Sequence, residues 1–204
     1  MPNLCLFTTG NDLGLLRQSC TRAGIELQAY NTNPHVWKDF LTTKLSWGLQ
    51  FLRTRTEEYA MWVDGHDSLV IQPEEEILQR FMDTEADVLI SGETNCWPSK
   101  EFESSFRAGG ACYPNSGGYI GYCDALIAAM EEVIRVGDPG NDDQGAWHRA
   151  IATGHVDAEI DTERWIFASV GDGEEALMAD SCVKHWNGRT PGREEWWREY
   201  GSSR

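Results

Sequence analysis

A chain of 204 residues, 41% of them apolar, can bury a substantial core and has the size of one α/β domain rather than two. Its formal net charge of −16 makes the average surface repel polyanions, which argues against non-specific binding to nucleic acid or to an anionic membrane but leaves room for a local basic site. The opening run Met1–Gly10 has no basic start and no long apolar stretch, so a cytoplasmic chain without signal peptide or membrane span is expected.

In chain order, Asn3–Thr8 reads as a buried strand, Thr9-Gly10-Asn11-Asp12 as a polar turn and Leu13–Ala23 as a helix. Ile25–Tyr30 reads as a second strand, and Thr42–Tyr59 carries Leu45, Leu49 and Leu52 at helical spacing, with Trp47 and Phe51 beside them. A short strand, Tyr59–Val63, stops at Asp64, and another, Ser68–Ile71, follows. Next come a helix over Pro73–Thr84 and a strand over Ala86–Ser91. Thr94–Gly118, rich in Gly, Ser and aromatics, reads as a long irregular connection of the kind that carries function. Tyr119–Tyr122 is expected to be a strand and Cys123–Arg135 a helix, with Leu126, Ala129, Met130 and Val133 on its inner face. A further helix starts at Gly140–Gln144 with Asn141 or Asp142 as its cap. The alternation predicts a mostly parallel sheet covered on both faces, with ligands at the carboxyl ends of its strands. Six scattered cysteines, without a CxxC pair, predict reduced thiols, a Cys112–Cys123 disulfide being the alternative.

Chemistry concentrates at a few places. In Trp62-Val63-Asp64-Gly65-His66-Asp67 an apolar strand runs into two carboxylates that a tight turn can aim at one cation, or that can simply cap the turn. His185 follows the apolar Cys182-Val183, and imidazole beside carboxylates suits Mn2+. Lys184 and the Asn187-Gly188 turn add a cation and backbone N–H groups for phosphate oxygens. Asn115-Ser116-Gly117-Gly118 is either an ordinary turn or a place where backbone approaches a bulky ligand closely. Beyond capping by Asn141 or Asp142, one of the carboxylates of Asp142 and Asp143 can bind sugar hydroxyls or contact the acceptor. Trp97 can stack on a sugar ring; Trp196 and Trp197 read as a tail that docks on the domain or a partner.

Taken together, these segments resemble the glycosyltransferase domain of the procollagen lysyl hydroxylases, of the collagen galactosyl- and glucosyltransferase type. The likeness runs through Thr8-Thr9-Gly10, Lys44–Trp47, Val63–Asp67, Ser91–Pro98, Asn115–Gly121, Asp142-Asp143-Gln144, Asp161 with Ile166-Phe167, and His185–Gly188. It implies a GT-A-like fold using a UDP-sugar and Mn2+, or Mg2+, with Asp64, Asp67 and His185 as metal ligands. It places Thr8, Thr9, Lys44, His66, Asn187 and Gly188 near the uridine and diphosphate, and Trp97, Asn115, Asp142 and Asp143 on the sugar and acceptor side. His66 stands where the family usually has Tyr. The acidic run before Gln144 is reduced to two Asp behind Asn141, and nothing suggests iron or 2-oxoglutarate chemistry.

The expectation is therefore a single domain over residues 1–204 that transfers a hexose, glucose or galactose, to a hydroxyl acceptor. The metal assists departure of UDP, and Lys44 and Lys184 add positive charge at the phosphates. Asp143 and Asn115 are the candidates beside the anomeric carbon, with retention of configuration expected by analogy. The acceptor is hydroxylysine in a protein or a hydroxymethylated base in DNA, the latter needing a groove made from Arg53, Arg55, Lys100 and Arg107. A small stand-alone transferase of this kind suits a virus or bacterium. The rival readings are a non-catalytic UDP-sugar-binding or regulatory module, and a nucleotidyltransferase, for which a Gly-rich basic loop at the first strand is missing.

Overall fold

A computed structural model describes residues 4–10, 13–30, 37–107, 109–137 and 142–202. Asn3, Asn11, Asp12 and the capping candidate Asn141 lie outside the described residues. The first half is built from β1 (Leu4–Thr9), α1 (Gly14–Ala23), β2 (Leu27–Tyr30), α2 (Trp37–Leu52), β3 (Tyr59–Val63), β4 (Ser68–Val70) and α3 (Glu74–Asp83). The second half follows with β5 (Val88–Glu93), β6 (Tyr113–Tyr122), α4 (Cys123–Val136), α5 (Asp143–Ala152), β7 (Glu159–Asp161), β8 (Phe167–Ser169), α6 (Glu174–Met178), β9 (Val183–His185) and α7 (Arg193–Ser202).

Among the described residues the main sheet has the order β2-β1-β3-β6-β5-β7. Only β6 runs against the others, so the sheet is mixed but mostly parallel. Side chains alternate across each strand, and both faces are covered. Cys5, Phe7, Trp62, Ile90 and Tyr119 join α2, α4 and α5 on one face. Leu6, Met61, Leu89 and Ile120 join α1 and α3 on the other. A second sheet, β4-β9-β8, pairs β9 antiparallel to β4 and parallel to β8.

The periodic helices form where expected: α3 starts after Pro73, with Glu74, Glu75 and Glu76 complementing its N-terminal dipole. Three expectations are corrected. The helix expected over Thr42–Tyr59 runs from Trp37 only to Leu52, because Thr54 and Arg55 turn back onto Phe51 and Leu52 carbonyls and Arg55 pairs with Glu57. The irregular stretch ends at Cys112, since Asn115–Gly118 belong to β6, paired to β3 through Val63↔Gly118 and to β5 through Ser91↔Asn115. The strand expected over Ala86–Ser91 is shifted to Val88–Glu93. All six cysteines are free and buried, including Cys112 and Cys123. Among the described residues no helix is long and apolar enough to cross a membrane.

Candidate functional site

The carboxyl end of β3 delivers Asp64. Its amide donates to the Gly117 carbonyl at 2.8 Å, and the Thr8 hydroxyl donates to the Val63 carbonyl at 2.6 Å, so the turn leaves the sheet between β1 and β6. Gly65 has no room for a side chain: a Cβ there would meet Leu13 at 2.4 Å and the Thr9 carbonyl at 2.5 Å. The turn then enters β4, whose Ser68 pairs with His185 of β9, and the Trp186 amide donates to the Asp67 carbonyl at 2.8 Å.

This pairing brings His185 Nε2 to 3.4 Å from Asp67 Oδ1 and 3.8 Å from Asp64 Oδ2. Among the described residues, Asp64, Asp67 and His185 form a group whose ligand atoms all lie within 4.8 Å of one another. Burial opposes a charge on His185, but Asp67 and Asp64 overcome it and raise the imidazole above its ordinary value. Burial likewise pushes the Asp67 carboxyl up, yet His185 brings it below the usual range. Gly117 runs directly under the ring, where a Cβ would lie 2.0 Å from His185 Cε1. Gly118 does the same for Phe167, with a Cβ at 2.5 Å from Cδ1. The Asn-Ser-Gly-Gly glycines thus accommodate the protein's own rings.

Lys44 is buried between Asp64 Oδ1 and Asp143 Oδ2, at 2.7 Å from each, and donates to the Ser116 carbonyl at 3.1 Å over the Trp62 ring. Desolvation disfavours its charge, but Asp143 and Asp64 outweigh that and raise its pKa. Asp142 caps α5 through the Gly145 amide at 2.7 Å. Asn115 is buried and accepts from the Gly117 amide. At the end of β1, the Thr9 hydroxyl is buried with no hydrogen-bond partner, and the exposed His66 ring lies next to Gly10. Trp97 stands 55% exposed at the rim.

Lys184 is not part of this cluster. It projects from the other face of β9 and donates to the Ala176 and Ala179 carbonyls and Ser181 Oγ, and burial lowers its pKa to about 8. The Asn187 side chain is also occupied, accepting from the Gly171 amide and donating to Glu93, so its turn offers backbone, with Gly188 at φ 65. Arg53 and Arg55 pair with Glu131 and Glu57 at a cavity of about 480 Å³ by the amino end of β3, opposite Asp64. Lys100 and Arg107 lie in and after the 3-10 turn that follows Trp97.

Sequence reasoning missed Glu93. It ends β5 as Asp64 follows β3, and that same signal, an apolar strand closing on a carboxylate, would have found it. Gln144 and Asn187 donate to its two oxygens at 2.6 and 2.9 Å, and burial pushes the carboxyl to about 7 against the opposing pull of Asn115 and Gln144. Arg193 stands at the start of α7 and pairs with Glu194 at 3.2 Å. Trp196, one turn along the same face of α7, packs on Trp186 at 5.5 Å, and Arg193 adds the smallest share to the charges, His185 and Lys44 first, that lower the Asp67 carboxyl.

A family model described as the PLOD GT domain matches residues 42–175. The procollagen-lysine,2-oxoglutarate 5-dioxygenase of Drosophila melanogaster is 26% identical over 85 residues, a match that covers 40% of this chain and 12% of that protein. Among solved structures, a glycosyltransferase involved in the glycosylation of the major capsid of PBCV-1 superposes with a TM-score of 0.65 at 15% identity. That superposition covers 98% of this chain and 100% of that one, and is a likeness of fold.

Proposed function

Because the chain belongs to the PLOD glycosyltransferase-domain family, we propose that it moves a hexose, glucose or galactose, from a UDP-sugar to a hydroxyl acceptor with the help of a divalent cation. The observation that carries this reading is the convergence of Asp64, Asp67 and His185 from two different sheets. Two carboxylates and one imidazole are the donor set expected for Mn2+, with Mg2+ as the harder alternative, and their ligand atoms are close enough to share one ion. Bound there, the ion supplies the charge against which a diphosphate leaves.

The protein's own groups do the rest. Lys44 fixes the orientation of Asp64 and ties it to Asp143, which leaves phosphate neutralisation to Arg193 and the Asn187-Gly188 backbone rather than to Lys184. The unpartnered Thr9 hydroxyl and the flat His66 ring suit the uridine, and Thr8 holds the strand end that presents them. Asn115, Asp143 and Glu93 line the sugar side, with Trp97 at the rim as a stacking platform. The acceptor we favour is a hydroxylated lysine, in keeping with the lysine-oxidising relative; for a DNA acceptor, Arg53 and Arg55 are already paired with Glu131 and Glu57.

The test is UDP release from a panel of UDP-sugars, without acceptor, in Mn2+ and then in excess chelator. Slow, metal-dependent release from one donor is expected and names the sugar. Asp67→Ala is expected to abolish that release with the circular dichroism spectrum intact. No release and no calorimetric binding of any UDP-sugar would overturn the donor assignment.

A further inference from the structure

One flank of α5 carries the whole inner side of the Trp97 segment. Gln144 donates to the Trp97 carbonyl, and Gly145 approaches so closely that a Cβ would lie 3.0 Å from Ser99 Oγ and 3.3 Å from Pro98 Cγ. One turn on, the His148 ring meets Phe106 edge-on at 5.4 Å, and the Arg149 guanidinium lies 5.5 Å over Phe102. These positions, three to five apart, share one helix face. The first turn of the same helix holds Asp143 against Lys44, so α5 touches both the cation cluster and the rim.

Beside Gln144 and Arg149, His148 is the polar side chain of this contact with no exposed surface. Its Nε2 lies 2.8 Å from the Pro114 carbonyl, which can only accept, so Nε2 bears the hydrogen. Desolvation lowers the imidazole pKa, so the ring is neutral and Nδ1 presents a bare lone pair. Cys96 Sγ stands 3.8 Å from that nitrogen and 3.5 Å from the Ser99 carbonyl, and burial keeps it a thiol whose single proton is shared between these two acceptors. The bridge therefore runs from β6 through His148 to the residue immediately before Trp97.

We propose that His148 is a positioning residue that fixes the Trp97 platform through the Cys96 thiol, setting acceptor engagement and leaving donor binding unaffected. The assignment of Trp97 to the acceptor side rests on the transferase reading above; the positioning of Trp97 does not.

Protein labelled with 5-fluorotryptophan tests it, the Trp97 fluorine line being assigned with Trp97→Phe. His148→Phe keeps the ring packing on Phe106 and removes both nitrogens; Cys96→Ser keeps a donor and Cys96→Ala removes it. Both His148→Phe and Cys96→Ala are expected to shift or broaden the Trp97 line, and Cys96→Ser to resemble the wild type. With free 5-hydroxylysine as the probe, the first two variants are expected to raise its KM about tenfold while the Kd for UDP in Mn2+ stays within about twofold. An unchanged Trp97 line in both variants overturns the proposal, and so does a loss of UDP affinity in step with the KM, which would mark general packing. If His148→Phe does not fold, the two Cys96 variants read the same contact. Absence of UDP binding by the wild type sinks the transferase reading alone, and the fluorine line still decides the positioning.

Discussion

Lys44 holds one positive charge in the interior, 2.7 Å from each of two carboxylates, and the pairing has an energetic consequence. Removing one partner of a buried ion pair strands the other, so Lys44→Met is expected to cost about 3 kcal/mol in urea unfolding, part of which Asp143→Asn in the same chain restores. Glu93 makes the opposite prediction. Its carboxyl, raised from an ordinary 4.5 to about 7 by burial, takes up a proton more readily folded than unfolded. The sign follows: its contribution to stability is fully present below the unfolded value and is lost as pH rises through about 7. A carbon-13 titration of labelled glutamates is expected to find one carboxyl with a midpoint near 7, and a full set near 4.5 would refute this. The grouping of Asp64, Asp67 and His185 was expected from the family resemblance; acids at a strand end and a lone histidine, taken by type and spacing alone, leave a capped turn and a packed ring equally open. Lys184 was misplaced because adjacent residues of a strand face opposite ways, and which face His185 would take depends on its pairing with Ser68.

At the level of elements, β6 is the member on which the site is laid down. Its Gly117 passes beneath the metal-side imidazole with no space for a methyl group. Gly117→Ala is expected to displace His185 and abolish calorimetric Mn2+ binding while the far-ultraviolet spectrum keeps its sheet signature; retained binding would show that the strand can retreat. The helices α3 and α4 could be read from the sequence, because their inner faces are apolar at a period of 3.6. The first half of β6 could not. Asn115-Ser116-Gly117-Gly118 has turn composition, and only the partners on both sides, β3 and β5, hold it extended. The same applies to β7, β8 and β9, each of three residues, too short for a pattern to emerge.

For the molecule as a whole, the proposed cation site joins two sheets: Asp64 follows β3 of the main one, while Asp67 precedes β4 and His185 ends β9 of the smaller one. A ligand that binds only the folded chain stabilises it by mass action, about 2.7 kcal/mol at a hundredfold excess over Kd, so Mn2+ is expected to raise the thermal midpoint by about 5 to 10 °C and chelator to reverse it. An unshifted midpoint across a Mn2+ titration would count against the site. The six buried thiols have a different use. They sit in β1, α1, the Trp97 segment, the approach to β6, the start of α4 and the approach to β9, and burial pushes Cys5, Cys20 and Cys182 up to about 12. Alkylating reagents attack thiolates, so the native chain is chemically silent toward them until it opens. The cysteines therefore act as a set of internal clocks: the order in which each position becomes labelled, read by mass, dates the opening of its own part of the fold.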